Sequence, residues 1–451
     1  MSAVPAAGGA ATPAAGPHAG WWRLAVPVGL IGGFLALALP RLSQIAGQDE
    51  ILHYVGLGQR LYEQGFRQPG GLITFSPHLY GWLICLSHRA CGPGLVAARV
   101  PGVLAWALAL ALVWWWLARP AVGSDLPARA ATVALLAGMP LAVQAGAIVD
   151  IDNTVLVPAV LLLSLGVVHL VERPQRLSFL AVAGLMALAL WCRLTTPLIV
   201  APAFLAYAGL RRRRPQPVAT TAAALGLGCL AFLGTWWLYC RVTGVSFSGP
   251  FRYLVESFGD CTVSENRGIR PGKIALTLGY TALWIGPWVG VLWAWSAFTR
   301  ARRFWQTRQV EPVDALLLAG AVVFCGYCVV GGTIFGFPKY HCPAIPLLLI
   351  AGGLTLAGSP APAGRRGWLT CLGLALCGAA LQAGVVGDPL HVLRVDLREA
   401  AFCGRAARGV VLQGVVLPLG IAGGCRPRSR HWPGACGWPP SPGPSCPSPS
   451  A

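Results

Sequence analysis

Apolar runs of about twenty residues recur along this chain from Leu24 onward, separated by short polar turns. A helix rises about 1.5 Å per residue, so a run of that length reaches across a hydrocarbon layer about 30 Å thick. Inside lipid, every backbone N–H and C=O must be paired within the segment itself, and a helix does this. The expected fold class is therefore an all-α polytopic membrane protein, a bundle of about eleven to twelve transmembrane helices with interfacial helices in the first outer loop. With 55% hydrophobic and 11% charged residues, no soluble domain of any size is expected.

The formal net charge of +19 could suggest a nucleic-acid partner, but its distribution argues otherwise. The cations sit in short clusters between apolar runs, at Arg173 and Arg176, at Arg211 to Arg214, at Arg300, Arg302, Arg303 and Arg308, and at Arg365 and Arg366. That is the positive-inside pattern of membrane topology, and no nucleic-acid site is read from it.

Three regions follow from composition. Residues 1–20 are Ala, Gly and Pro with almost no charge and are expected to be disordered, as is the Pro/Ser/Gly-rich tail at 424–451. Residues 21–423 form the transmembrane unit. Spans are expected at 21–40, 95–117, 129–148, 154–171, 177–191, 194–210, 218–239, 274–298, 313–335, 343–358 and 368–386, with a marginal last one at 409–423. The segment 75–92 is apolar but short, and carries His78, His88 and Arg89. Treating it as interfacial puts every strongly basic turn on the inside. The turns holding Asp49 and Glu50, and Asp150 and Asp152, then share the outer face.

Polar residues are scarce enough that each intrusion carries information. Asp49 and Glu50, in GQDEILHY with Tyr54, follow the first span. Carboxylates beside lipid are costly, so the pair is expected to line an aqueous cleft, with an ordinary wet loop as the plain alternative. Asp150 and Asp152 stand two positions apart in AIVDIDNTVL; on a helix they point different ways, so one of them is expected to face the cleft. Asp152 could equally cap a helix starting near Thr154. Arg193 lies at the turn between two short spans, where a snorkelling role stays open. Lys339, Tyr340 and His341 stand between Pro338 and Pro343, an interrupted stretch that suits a cavity wall. Cationic and hydrogen-bonding donors next to acidic clusters suit an anionic ligand such as a phosphate.

The cysteines are scattered through apolar surroundings as small hydrophobes. Cys325 and Cys328 form a CxxC without a second pair at metal-site spacing. Cys240, Cys261 and Cys403 are expected in polar loops, with a disulfide left open.

Taken in order, DE with HY, SPHLYGWL, GLVAARVPGVL, VDIDN, a cation at a span start and PKYHCPAIPLLLIAGG resemble the GT-C membrane glycosyltransferases. The likeness is to the protein O-mannosyltransferase and aminoarabinose-transferase branch and to the RgtA/B/C/D-like bacterial enzymes. It covers roughly residues 24–358. The resemblance implies a sugar transferase that draws on a polyprenyl-phosphate-sugar donor and acts on a lipid, glycan or protein acceptor at the non-cytoplasmic face. Asp49 matches that family's essential acid with Glu50 beside it, and Asp150 or Asp152 its second acidic position. The family's Pro-Pro-Leu is Pro77, His78, Leu79 here, its usual Lys is Arg193, and no large soluble C-terminal domain is expected.

On that resemblance Asp49 is the general base, Glu50 or Asp152 orients the acceptor, and Arg193 and Lys339 stabilise the departing phosphate, with inversion at the sugar. Tyr54, His78, Tyr340 and His341 complete the expected donor-phosphate and acceptor contacts. A divalent metal held between Asp49 and Asp152 is compatible with the chain, which supplies no dedicated cage. A lipid-linked-sugar transporter or flippase, and an inactive member of the same fold, remain rivals. The polar groups gather at one face without an internal repeat, which favours the enzyme.

Overall fold

The computed structural model describes residues 19–43, 54–65, 76–122, 124–212, 215–259, 274–275, 278, 281, 284–285, 287–330 and 339–357. Every regular element among the described residues is helical. Asp49, Glu50, Cys261, Cys403, residues 1–18 and everything beyond 357, including the expected spans at 368–386 and 409–423 and the tail, lie outside the described residues.

The helices are α1 (Ala19–Ala38), α2 (Gly56–Gln64), α3 (Leu79–Cys91), α4 (Leu95–Leu117), α5 (Leu126–Ala137), α6 (Pro140–Gly146), α7 (Leu156–Glu172), α8 (Arg176–Cys192), α9 (Thr195–Arg212), α10 (Pro215–Thr243), α11 (Gly249–Gly259), α12 (Pro287–Thr307), α13 (Pro312–Val330) and α14 (Ile345–Ala357). Three segments combine the length and hydropathy needed to cross a membrane: Leu24–Ser43, Leu95–Leu117 and Pro215–Thr243. The shorter apolar helices Leu126–Ala137, Leu156–Glu172, Arg176–Cys192 and Pro312–Cys328 pack between and beside them. Leu24, Leu177, Leu230, Leu238 and Phe298 are exposed large hydrophobics, an arrangement that requires lipid as the surrounding solvent. The protein is an integral membrane protein.

Two expected elements differ from what forms. The run at 129–148 divides into α5 and α6 at Gly138 and Met139, because Pro140 cannot donate a backbone N–H into a continuing helix and takes the first position of α6 instead. Cys240, expected in a loop, is buried inside α10, which runs on to Thr243. The cysteines among the described residues are all free.

The segment expected to be interfacial is α3, whose thirteen residues reach only about 20 Å, too short to cross. It lies against α2 and α4. Leu57 and Leu61 of α2 bury one face, and a Cβ on Gly81 of α3 would meet the Leu57 side chain at 2.6 Å. The glycine is thus what lets the two helices approach. Gly92, with φ of +84°, turns the chain out of α3 toward α4.

α7 is the central post of the bundle, in contact with α4, α8, α9 and α13. Arg99 of α4 is 2% exposed, and its Nη1 donates to the carbonyls of Arg41 (3.3 Å) and Leu42 (3.0 Å) in the 3₁₀ turn Leu39–Ser43. A buried guanidinium therefore fixes the path of the chain directly before the segment that carries Asp49 and Glu50.

Candidate functional site

The connection from α6 to α7 is a turn over residues 147–155, and its folding depends on side chains bonding to backbone. Asp150 Oδ1 accepts from Asp152 N at 2.9 Å, and Thr154 Oγ1 donates back to the Asp150 carbonyl. Asn153 is held from both sides: its Nδ2 donates to the Ala145 carbonyl at 2.8 Å, and its own carbonyl accepts from Trp106 Nε1 at 2.7 Å. Short polar side chains of this kind compete with helix for backbone partners. α7 consequently starts only at Leu156, with Val155 before it and no side-chain cap.

This turn overturns two expectations. Asp152 does not cap the helix. Nor does one of the two carboxylates turn away, since the helical spacing argument has no helix to act on. Asp150 Oδ2 accepts from Lys339 Nζ at 2.7 Å, and Asp152 Oδ2 accepts from Arg193 Nη1 at 2.7 Å. All four side chains are largely withdrawn from solvent, the carboxylates most of all. Two acids and two cations from three separate parts of the chain thus form one buried group of balanced charge.

Balanced charge does not mean saturated hydrogen bonding. Asp152 Oδ1 and Asn153 Oδ1 are buried and have no partner among the described residues. Arg193 anchors Nη1 on Asp152 and Nε on Thr195 Oγ1 (3.3 Å), which leaves Nη2 free of a hydrogen bond among the described residues. The group therefore retains a cationic donor and two acceptors after its internal pairing is complete. Unmet buried polar atoms are costly unless something else meets them.

Aromatic residues wall the group. Lys339 and Tyr340 lie in the 3₁₀ turn Lys339–Ala344. Tyr340 stacks on Tyr327 at 5.1 Å, and the Arg193 guanidinium stands 5.4 Å from the Tyr340 ring. The Tyr327 hydroxyl bonds Thr195 (3.0 Å) and Thr196 (2.7 Å) at the start of α9. Tyr54, edge-on to Tyr80 at 5.5 Å, completes the surround. Burial, and after it the Asp150 and Asp152 carboxylates, hold its hydroxyl well above the ordinary value, against the opposing pull of Arg193 and Lys339. Burial likewise raises the Asp152 carboxyl, with Arg193 opposing.

Two expected residues are placed beside this group rather than in it. His341 bonds Cys328 Sγ through Nε2 at 3.5 Å and packs on Phe324. His78 Nδ1 lies 2.8 Å from the Tyr239 hydroxyl, edge-on to Trp236, while its buried Nε2 has no partner among the described residues. Burial lowers the His78 imidazole to about 4, so at neutral pH it offers a neutral ring. Tyr327 and Asn153 were not among the expected site residues. Their signal in the sequence is a phenol inside an otherwise apolar run, and an amide directly after the second Asp.

The described residues gather no set of three His, Cys, Asp or Glu side chains able to hold a metal. Asp150 and Asp152 each already face a cation. These residues do not make a metal cage, and no step below is routed through one.

The sequence profile of the dolichyl-phosphate-mannose-protein mannosyltransferase family matches residues 76–239, from just before α3 to near the C-terminal end of α10. Among solved structures the chain is similar to ArnT from Cupriavidus metallidurans bound to undecaprenyl phosphate. The TM-score is 0.59 and the identity 16%, over 90% of this chain and 77% of that one. It is also similar to the same ArnT in the apo state, with a TM-score of 0.53 and 18% identity over 89% and 77%. No curated protein sequence matches.

Proposed function

We propose that this chain, whose fold is similar to that of ArnT, is a GT-C membrane glycosyltransferase that transfers a sugar from a polyprenyl-phosphate-linked donor to an acceptor hydroxyl at the non-cytoplasmic face, with inversion. The transferase unit in this reading is residues 21–423, set in a bacterial inner or plasma membrane. The observation that carries the proposal is the buried charge group, in which Arg193 keeps a donor unspent among the described residues. That one of the similar structures holds undecaprenyl phosphate supports the choice of donor.

The chemistry follows from what such a group can supply. A polyprenyl-phosphate sugar leaves as a phosphate, so negative charge develops on oxygen as the glycosidic bond breaks. Arg193, held rigidly by Asp152 and Thr195, directs Nη2 to that oxygen without reorganising, and Lys339 adds a second positive charge. Asp150 and Asp152 hold the two cations in place.

Asp49 is the proposed general base for the acceptor hydroxyl, with Glu50 orienting it. Tyr54 is four positions after Glu50, and an extended chain spans at most about 3.6 Å per residue. Connectivity alone therefore keeps Glu50 within about 14 Å of a tyrosine that feels all four charges of the group. Tyr340, Tyr54 and His78 are proposed to line the donor and acceptor path as neutral hydrogen-bonding and stacking surfaces, and His341 supports it through Cys328.

Membranes carrying wild type or Asp49→Asn at matched protein levels, supplied with radiolabelled polyprenyl-phosphate sugars, test the proposal. Transfer in wild type with at least about a hundredfold loss in Asp49→Asn is expected. Equal transfer in both removes Asp49 from the mechanism. Labelled donor that crosses the membrane without transfer supports a flippase instead.

A further inference from the structure

At the far end of α7 from the charge group, about 25 Å away along a seventeen-residue helix, lies a cavity of about 950 Å³. It collects the C-terminal ends of α4, α7 and α9, the basic end of α12 and the start of α13. Five arginines line it: Arg119, Arg173, Arg211, Arg300 and Arg303. Three of them are accounted for. Arg211 pairs with Glu172 at 2.6 Å, Arg300 with Glu311 at 2.6 Å and with Asp314 at 3.2 Å, and Arg303 with Glu311 at 2.5 Å.

Arg119 and Arg173 have no carboxylate partner among the described residues. Arg119 lies over the Trp115 ring at 3.8 Å, which stiffens the guanidinium without neutralising it. Arg119 and Arg173 line the same cavity, and burial, then the charge of Arg173, hold Arg119 below its ordinary value. His169, one turn before Arg173 on α7, faces the same space. The plain reading is that these arginines answer the half-charges at the C-termini of α4 and α7. Each such end supplies only about half an elementary charge, so about one positive charge stays uncompensated. Two guanidinium groups lining one cavity of ligand size, Arg119 half-buried and Arg173 open to solvent, are an arrangement that can bind phosphate oxygens.

We infer that this cavity is a second ligand site, separate from the charge group, that binds a phosphate-bearing anion between Arg119 and Arg173. The shared chemistry is a phosphate monoester or diester, which could reach the cavity either as a membrane phospholipid headgroup or as a soluble phosphate. Arg211, Arg300 and Arg303 already face carboxylates, so Arg119 and Arg173 set the anion's position. The inference does not depend on the transferase reading.

The test uses the full chain in nanodiscs, comparing wild type, Arg119→Gln/Arg173→Gln, Arg119→Lys/Arg173→Lys and, as a control outside the cavity, Arg241→Gln. One arm measures phosphatidylglycerol retained from mixed phosphatidylglycerol and phosphatidylcholine discs by native mass spectrometry. The other measures labelled pyrophosphate binding in pure phosphatidylcholine discs. Loss of two charge-assisted contacts should weaken binding at least about tenfold in the glutamine variant and less in the lysine variant, leaving Arg241→Gln at the wild-type value. Loss confined to the first arm identifies a lipid headgroup, and loss confined to the second a soluble phosphate. If neither ligand distinguishes the glutamine or lysine variant from wild type, the inference fails. The lysine variant, which keeps both charges, decides the matter if the glutamine variant does not fold.

Discussion

Replacing Lys339 with Met should destabilise the protein severely, and removing Asp150 as well should undo most of the damage. Asp150 is 3% exposed, and its carboxylate has one oxygen on the Lys339 ammonium at 2.7 Å and the other on the Asp152 amide at 2.9 Å. Without the ammonium, a buried carboxylate keeps one backbone donor and loses its counter-charge, which costs about 3–5 kcal/mol. In Asp150→Asn/Lys339→Met both charges are gone, while the Asn oxygen still accepts from the Asp152 amide. The double variant should therefore recover at least about 2 kcal/mol relative to Lys339→Met, a coupling readable from a double-mutant cycle. Thermal unfolding in matched nanodiscs, followed by tryptophan fluorescence, gives the comparison. Lys339→Met should melt at least about 5 °C below wild type. The reasoning is refuted if Lys339→Met melts within a degree or so of wild type, or if the double variant is no better than the single one. Sugar transfer should stay low in the stable double variant, which separates the role in holding the fold from the proposed role at the phosphate.

Four further outcomes follow from the same geometry. Arg193→Lys keeps a charge but loses the fork that spans Asp152 and Thr195 with a donor to spare, so kcat/KM for transfer should fall about a hundredfold while the melting temperature changes little. His78 titrates at 6.5 when unconstrained but at about 4 in the fold. The unfolded chain therefore takes up a proton first, and stability should be full above pH 6.5, fall as pH drops through that value and level off below about 4. The total loss is about 3 kcal/mol, and melting of His78→Asn should be flatter over that range. Gly102→Ala places a Cβ 2.7 Å from the Gly146 carbonyl and 2.9 Å from Thr154 Cγ2, which backbone cannot relieve without shifting the α6–α7 turn. It should cost about 1–3 kcal/mol and lower transfer with it. Gly184→Ala, whose Cβ would meet nothing within 4 Å, should melt at or slightly above the wild-type temperature.

What the sequence determined by itself was the solvent and the class of fold. Apolar runs at 95–117, 177–191 and 218–239 become α4, α8 and α10 with ends displaced by a few residues, because a lipid-buried backbone has one economical way to satisfy itself and length sets where it stops. The polar turns were legible for the same reason. A charge that persists beside lipid stands out, so Asp150, Asp152, Arg193 and Lys339 could be picked out before any contact was known. The pairing among them was decided only by tertiary structure. Lys339 meets an acid 189 residues earlier, and Arg193 one 41 residues earlier. That choice rests on a turn whose side chains bond to backbone where spacing suggested the start of a helix. Tyr327 joins the site for a similar reason, since α13 happens to present its hydroxyl to Thr195 and Thr196. Of the two arginines at the other end, Arg173 was visible as a positive-inside charge, but charge counted along a chain cannot tell a paired cation from an unpaired one. Only the packing of α7 against α4 and α9 puts Glu172 on Arg211 and leaves Arg119 and Arg173 without an acid among the described residues.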